Sequence, residues 1–287
     1  MKNAPRYKRF SRSRFGNVIY FSILLLAGAF TILPLLYSIS TSFKPLDELL
    51  TFPPRFFVVR PTLRNYSALP GLLSNLQVTF SRYIFNSVFI SITITVLHIF
   101  VASMAAFVLC QAKNKLTKTI FMLVQFSLLY NAYTLAIPQY LIISDLGIID
   151  TYFAYILPAL PATMGVFLVK QYMEISVPAA LIEAARIDGA GYAHIYWHLV
   201  MPIVKPAWLT LALFAFRDAW SLQPNGTIFS ENLKTLPNAM SQITSSGIAR
   251  SGSAMSATVL LMIPPILVYL ISQSNVLETM SSAGIKD

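Results

Sequence analysis

The chain has 287 residues, of which 56% are hydrophobic and only 11% charged, and a net charge of +10. A soluble domain carries about 25% charge, so this balance, with a mean hydropathy of +0.64, excludes an ordinary soluble enzyme and describes a polytopic membrane protein. The positive charge does not mark a nucleic-acid binder, because six of the 21 Lys and Arg lie in the first 14 residues, ahead of an apolar span.

From the N-terminus, the run MKNAPRYKRFSRSR is followed by Phe15 to Phe43, which contains no Asp, Glu, Lys or Arg. A signal-peptide core runs about 7–15 residues; this stretch is far longer and reads as an uncleaved first transmembrane helix. A spanning helix needs about 20 apolar residues, and the candidates are 17–40, 83–110, 119–141, 152–170, 204–224 and 254–273. The stretch 204–224 is the poorest, because Arg217 and Asp218 interrupt it. Counting it gives six spans; leaving it out gives five and places the two ends on opposite sides. Cys110, the single cysteine, lies near the end of an apolar run and reads as a small buried hydrophobe, with no intrachain disulfide possible.

Short loops rich in Lys and Arg stay in the cytoplasm. The N-terminal tail carries Lys2, Arg6, Lys8, Arg9, Arg12 and Arg14, and the 111–118 loop carries Lys113, Lys115 and Lys118. The 142–151 loop has no Lys or Arg but has Asp145 and Asp150. The N-terminus and the loops 111–118 and 171–203 are therefore expected inside. Residues 44–81, punctuated by Pro45, Pro53, Pro54, Pro61 and Pro70, form a first outer segment, and 225–252 a second. No low-complexity linker, internal repeat or second soluble domain is visible, so 1–287 reads as a single transmembrane domain.

Between the fourth and fifth spans lies Ser176 to Pro206, SVPAALIEAARIDGAGYAHIYWHLVMPIVKP. Pro178 suits a helix's first turn, Ser176 is a candidate cap, and Ala179 to Ile187 are mostly good helix formers. Gly189 fits a helix stop. A second helical run, about Tyr192 to Met201, meets Pro202 and Pro206. The expected shape is helix, tight turn, helix, outside the hydrocarbon.

Glu183-Ala184-Ala185, Asp188-Gly189-Ala190, Leu199 and Pro202 resemble the EAA motif of the membrane subunits of ATP-binding-cassette (ABC) importers, in the form found in sugar-importer permeases of the smaller maltose-type kind. Leu199 stands where Ile is commoner and Tyr196 where Phe is commoner. Pro61-Thr62-Leu63-Arg64-Asn65-Tyr66 resembles the PTLxNY run of the same family, and Asn86-Ser87, Leu146-Gly147-Ile148 and Leu157-Pro158 are similar to it. The tail Ser282 to Asp287 resembles the family's AGxxKG ending, with Asp for the last Gly. The run Ile228 to Pro237 resembles a subgroup associated with complex, alginate- or polygalacturonate-like oligosaccharides. Arg217-Asp218-Ala219-Trp220 replaces the family's WND-type run, a departure that argues against a maltose-like specificity.

The resemblance implies an all-α membrane protein of six transmembrane helices with a cytoplasmic coupling loop at 176–206. It implies that Glu183, Ala184, Ala185, Asp188, Gly189, Ala190, Leu199 and Pro202 dock on an ATPase, with Glu183 meeting a basic group there. The implied partners are a second, homologous permease, two ATPase subunits, an extracytoplasmic solute-binding protein and the lipid of a bacterial cytoplasmic membrane. No G-x-x-x-x-G-K-[ST] occurs, so ATP and its Mg would be held by the ATPase subunits and no cofactor by this chain. No catalytic constellation stands out.

Arg217 lies 14 residues beyond Ile203, about 21 Å along a helix at 1.5 Å per residue. A charge at that depth faces a bundle interior or water and often marks a pathway; a structural ion pair or snorkelling is the alternative. Asp218 projects about 100° away around the helix, so the two charges need not cancel. Arg217, Asp218 and Trp220, with Tyr130, Asn131 and Tyr133 of the third span and Gln139 nearby, are the substrate-path candidates. His194 and His198 share a helix face, but Ile195 stands where a zinc protease has Glu, so no metal site is expected; His98 reads as a satisfied intramembrane histidine. The rival function is an ion-coupled secondary transporter, which would place carboxylates in its spans; Asp218 is the lone candidate.

The topology is testable with Cys110 replaced by Ala and a cysteine placed at Ser11 or Ser281. Six spans predict that neither site reacts with an impermeant maleimide added to intact cells; labelling at either would reverse that end.

Overall fold

A computed structural model describes residues 14–74, 78–112, 114–130, 132–224, 226–244 and 250–284. The basic residues ahead of Arg14, and Lys113, lie outside the described residues, as does the Ile285–Asp287 end of the tail motif. Among the described residues every regular element is helical, as burial in lipid demands of a backbone that has no water to bond.

Among the described residues three single helices are long and apolar enough to cross a membrane: α1 (Arg14–Ser42), α4 (Phe80–Gln111) and α13 (Ser251–Gly284). Two short helices, α2 (Leu46–Leu49) and α3 (Arg64–Ser74), lie in the segment 44–81. The expected span 119–141 is divided between α5 (Lys115–Ser127) and α6 (Ala132–Asp145). With 13 residues, α5 is about 20 Å long, short of a core about 30 Å thick. The expected span 152–170 is also two helices, α7 (Phe153–Ala159) and α8 (Thr163–Ser176), bent by 42°. Pro161 stands at that bend with no N–H to continue the ladder.

The segment after α8 holds α9 (Ala179–Ile187) and α10 (Tyr192–Ile203), and then α11 (Lys205–Trp220) turns away from α10 by 81°. Pro206 cannot donate to the carbonyl of Pro202, which is why the chain turns at Val204 instead of running on. The last helix before α13 is α12 (Leu236–Thr244).

At the centre, α4 packs against α8 and α11, and α11 against α13; α1 leans on α13 and is otherwise exposed along its apolar length. Gly165 lets α8 approach closely. A Cβ there would lie 2.9 Å from Leu211 Cδ1 on α11 and 3.0 Å from Ala102 Cβ on α4.

The segments 44–81 and 225–252 are fastened by side-chain amides. Asn65 Nδ2 donates to the Ser42 and Lys44 carbonyls at 2.9 and 2.8 Å, and Tyr66 and Ser42 hydroxyls meet at 2.8 Å. A Cβ on Gly252 would fall 2.7 Å from the Asn65 amide, so glycine is what admits α13 there. In the same manner Asn86 Nδ2 donates to the Asn232 and Lys234 carbonyls at 2.8 and 2.9 Å, and Ser87 Oγ accepts from Leu236 N at 2.7 Å. The motifs Pro61–Tyr66 and Asn86-Ser87 thus hold these loops to the bundle.

Because Gly165 has no room for a side chain, Gly165→Val should destabilise the purified protein by about 1–3 kcal/mol through overpacking. Gly28→Val, with nothing within 4 Å of its Cβ, should leave the melting temperature in detergent unchanged. Equal shifts for the two would contradict the packing described.

Candidate functional site

The segment α9–α10 is built as a hairpin on the end of α8. Ser176 closes α8 instead of capping α9, and Pro178 stands at the N-cap of α9 with no side-chain cap bond, one position ahead of the expected first turn. The other end of α9 stops on Gly189, at φ +83°, a left-handed conformation that glycine adopts without a Cβ clash. The Ala190 N–H donates to the Ala185 carbonyl at 2.9 Å and the Gly189 N–H to the Arg186 carbonyl at 3.0 Å. This reciprocal pair satisfies carbonyls that the helix end would leave orphaned. Across the turn, the Arg186 guanidinium lies 4.6 Å from the Tyr192 ring centroid and donates to its hydroxyl, stapling α9 to α10.

The hairpin is anchored by apolar side chains. Ile182 from α9 and Ile195, Tyr196 and Val200 from α10 enter one cluster with Phe107, Val169 and Met173. Buried Tyr196 shares a 2.6 Å hydrogen bond with Ser103 of α4. The middle of α10, Ile195–Val200, is wound as a π-helix, with the Met201 N–H donating to Tyr196 O. Such wide turns recur at functional sites.

The motif residues divide accordingly. Glu183, Ala184 and Asp188 are exposed; Ala185, Ala190 and Leu199 are half-buried against the cluster. An open groove of about 640 Å³ is lined by Ala185, Asp188, Gly189, Ala190 and Leu199 together with the two histidines. His194 and His198 stack with ring centroids 4.3 Å apart. Glu183 lies on the other flank of α9, in a groove of about 480 Å³ with Glu174 and Arg186. Pro202 is exposed on α10, apart from both grooves.

Among the described residues the substrate-path candidates make separate contacts. Arg217 and Asp218 do pair: Asp218 Oδ1 accepts from Arg217 Nε at 3.1 Å and Nη2 at 2.9 Å, with both side chains largely exposed. The two positions step about 100° around the helix, which leaves the charges free to stay apart, but here they meet. Trp220 is buried; its indole N–H donates to the Leu261 carbonyl of α13 at 3.0 Å and its ring stacks on Phe216 at 5.9 Å. It packs α11 against α13. Tyr130 is exposed with an edge contact to Phe126. Asn131 and the Tyr133 side chain lie outside the described residues. Gln139 lines a cavity of about 230 Å³ with Tyr140, Tyr155, Gln223 and Thr227. His98 Nδ1 lies 3.2 Å from the Ala159 carbonyl, a satisfied histidine.

Two constellations escaped the sequence reading. Asp150, at φ +58°, accepts from the Phe229 and Ser230 N–H groups at 2.9 and 2.8 Å and from the Ser230 hydroxyl. The Ser230 hydroxyl first, and then its N–H, hold the carboxyl below its ordinary range. In sequence Asp150 is only an acidic loop residue. Lys170 pairs with Glu174 at 2.6 Å; the spacing Lys170-x-x-x-Glu174 was a legible signal for it.

The family model described as "binding-protein-dependent transport system inner membrane component" matches residues 98–281. The chain belongs to this family. Among its relatives, the arabinooligosaccharides transport system permease protein AraQ of Bacillus subtilis is 26% identical over 288 residues, covering 100% of this chain and 99% of AraQ. The polygalacturonan/rhamnogalacturonan transport system permease protein YtcP of the same organism is 26% identical over 210 residues, 73% of this chain and 71% of YtcP. A crystal structure of a bacterial ABC transporter that imports the acidic polysaccharide alginate contains a chain of the same fold, with TM-score 0.71, 21% identity, and coverage of 94% of this chain and 99% of that one. The permease is thus an inner-membrane subunit of an ABC importer, not an ion-coupled carrier.

A depressed carboxyl stabilises the state that holds it above the unfolded pKa, about 3.9, and that contribution is lost as pH falls through the lower folded value. Protection of the 227–230 loop from protease should therefore persist from neutral pH to about 4 and weaken only in stronger acid. Asp150→Ala should remove it throughout; a loop equally protected in that variant would show the contact to be idle.

Proposed function

We propose that this permease subunit converts ATP-driven closure of two ATPase subunits into alternating access for an oligosaccharide. The observation that carries the reading is the α9–α10 hairpin: a short helix, closed by a glycine turn, exposing Glu183, Ala184 and Asp188 while Ile182 roots it in the bundle. A rigid, polar-faced hairpin rooted in this way suits a lever that another protein pushes, because displacement of α9 must move α8 and α10 with it.

In this reading the chain forms six spans, with α5–α6, α7–α8 and α11 serving as the third, fourth and fifth. Both termini and the hairpin are cytoplasmic. A second, related permease completes the path, and an external binding protein delivers cargo. ATP and Mg reside in the ATPase subunits, so this chain performs no hydrolysis itself.

The cargo we infer is an acidic oligosaccharide. Support comes from the Ile228–Pro237 resemblance, from the name of YtcP and from Arg217, a permanent cation exposed on α11. Arg217 is already engaged by Asp218, so a cargo carboxylate would displace one carboxylate by another, exchanging one charge-assisted pair for a second.

Coupling is checked by Gly189→Pro and Glu183→Lys, which should insert and fold yet lose transport in reconstituted complexes. Near wild-type uptake in either would refute the docking role. Cargo is checked by uptake of a trigalacturonate against a neutral trisaccharide. Arg217→Gln should weaken the acidic sugar's affinity roughly 10-fold relative to the neutral one, and Asp218→Asn should shift the preference the other way. Equal effects on both sugars would make the pair structural.

A further inference from the structure

The grooves beside α9 belong to the coupling segment already described, but the side chain that ties this segment's root to the third span does not. Lys170 sits six residues before the end of α8 and is 8% exposed. Its ammonium donates to Glu174 Oε1 at 2.6 Å and stands 3.9 Å from the centroid of the Phe121 ring on α5. Phe121 also stacks on Phe167, one turn before Lys170, with centroids 6.2 Å apart and planes within 5°. The Lys170 carbonyl accepts from the Cys110 thiol on α4 at 3.8 Å.

One residue therefore meets three helices. Its backbone touches α4, its ammonium grips the face of an α5 aromatic, and its charge is balanced within α8. A cation held over a ring in a desolvated site is among the stronger of such contacts. Lysine is also costly to bury, so its place here needs both partners.

We propose that Lys170 is the positioning residue that transmits movement of the coupling hairpin to the third span. Only Val177 and Pro178 separate the end of α8 from α9, so displacement of α9 acts directly on the α8 helix. α8 in turn packs on α5, and the Phe121–Lys170 contact is the polar joint between them. Without the ammonium, the apolar stem of residue 170 could slide against Phe121. With it, α5 must follow α8. Glu174 is half-exposed, at 46%, so removal of the lysine charge leaves a carboxylate that water can solvate, and the bundle has no reason to unfold. The inference rests on the coupling role of α9.

The experiment uses the complete transporter in proteoliposomes, with trigalacturonate as cargo, and measures uptake and ATP hydrolysis together. Lys170→Met keeps the stem and removes the charge; Phe121→Leu keeps an apolar side chain and removes the ring; Lys170→Arg keeps the cation. The first two should each lower sugar moved per ATP roughly 5-fold or more, and the double variant no further than either alone. Lys170→Arg should restore most of the ratio. Melting temperature in detergent separates a purely structural role: a large fall with an unchanged transport ratio would overturn the proposal. An unchanged ratio in Lys170→Met, or strict additivity with Phe121→Leu, would overturn it as well. Gly189→Pro serves as the reference. If that variant is uncoupled while Lys170→Met is not, the joint fails and the hairpin's role stands; if Gly189→Pro transports normally, the coupling reading itself fails.

Discussion

Everything at the base of this permease depends on one apolar cluster shared by α4, α8, α9, α10 and α11. Residues Phe107, Val169, Met173, Ile182, Ile195, Tyr196, Val200, Val204 and Leu211 are all buried in it. A helix as short as α9 would not persist alone in water. Here it is held because Ile182 and the half-buried Ala185 face the cluster, while Glu183 and Asp188 turn outward. The buried Tyr196–Ser103 hydrogen bond adds direction to what is otherwise a non-directional attraction. The outward polar face and the inward apolar root are the same feature seen from two sides. In the proposed coupling role, a partner pushes on the first only because the second is fixed.

The opposite end of the bundle uses a different principle. Loops there lack regular partners, and their carbonyls are gathered by side-chain amides. Asn65 and Asn86 each use one Nδ2 to hold two carbonyls two residues apart. Tyr152 completes the second site by donating to Asn86 Oδ1 at 2.7 Å, and Tyr83 donates to Glu231 at 3.1 Å. Asp150 reverses the polarity, a carboxylate collecting N–H groups. The segment 227–236 is thereby fastened both to α4 and to the loop before α7, which makes it a shaped surface on the face where the proposed binding protein would arrive.

Charge within the apolar bundle is handled by pairing at short sequence distance. Arg217 with Asp218 and Lys170 with Glu174 are both local pairs on a single helix, so each helix carries little net charge into its neighbours. They differ in exposure. The Arg217 pair is open and can exchange partners, whereas the Lys170 ammonium is enclosed by an aromatic ring. That contrast is why the first is read as facing cargo and the second as holding helices together.

The sequence by itself determined the all-helical class, the first, second and last long apolar helices and the glycine-closed turn after α9. Long apolar runs leave lipid no alternative to helices, and Glu183 to Gly189 form a local pattern whose turn needs only a glycine at one position. The helix breaks were partly legible, since Pro161 and Pro206 mark two of them. The break between α5 and α6 carries no proline between residues 128 and 131 and was not. Tertiary structure alone decided how side chains at a distance meet. Trp220 is two residues from Asp218 in sequence, yet it is buried against Leu261 because α13 covers that face of α11. The Arg217–Asp218 pairing depends on a rotamer, not on the 100° step between positions. Lys170 required knowledge that Phe121, distant along the chain, lies across from it. Spacing along a chain fixes which residues share a face; only packing fixes what that face meets.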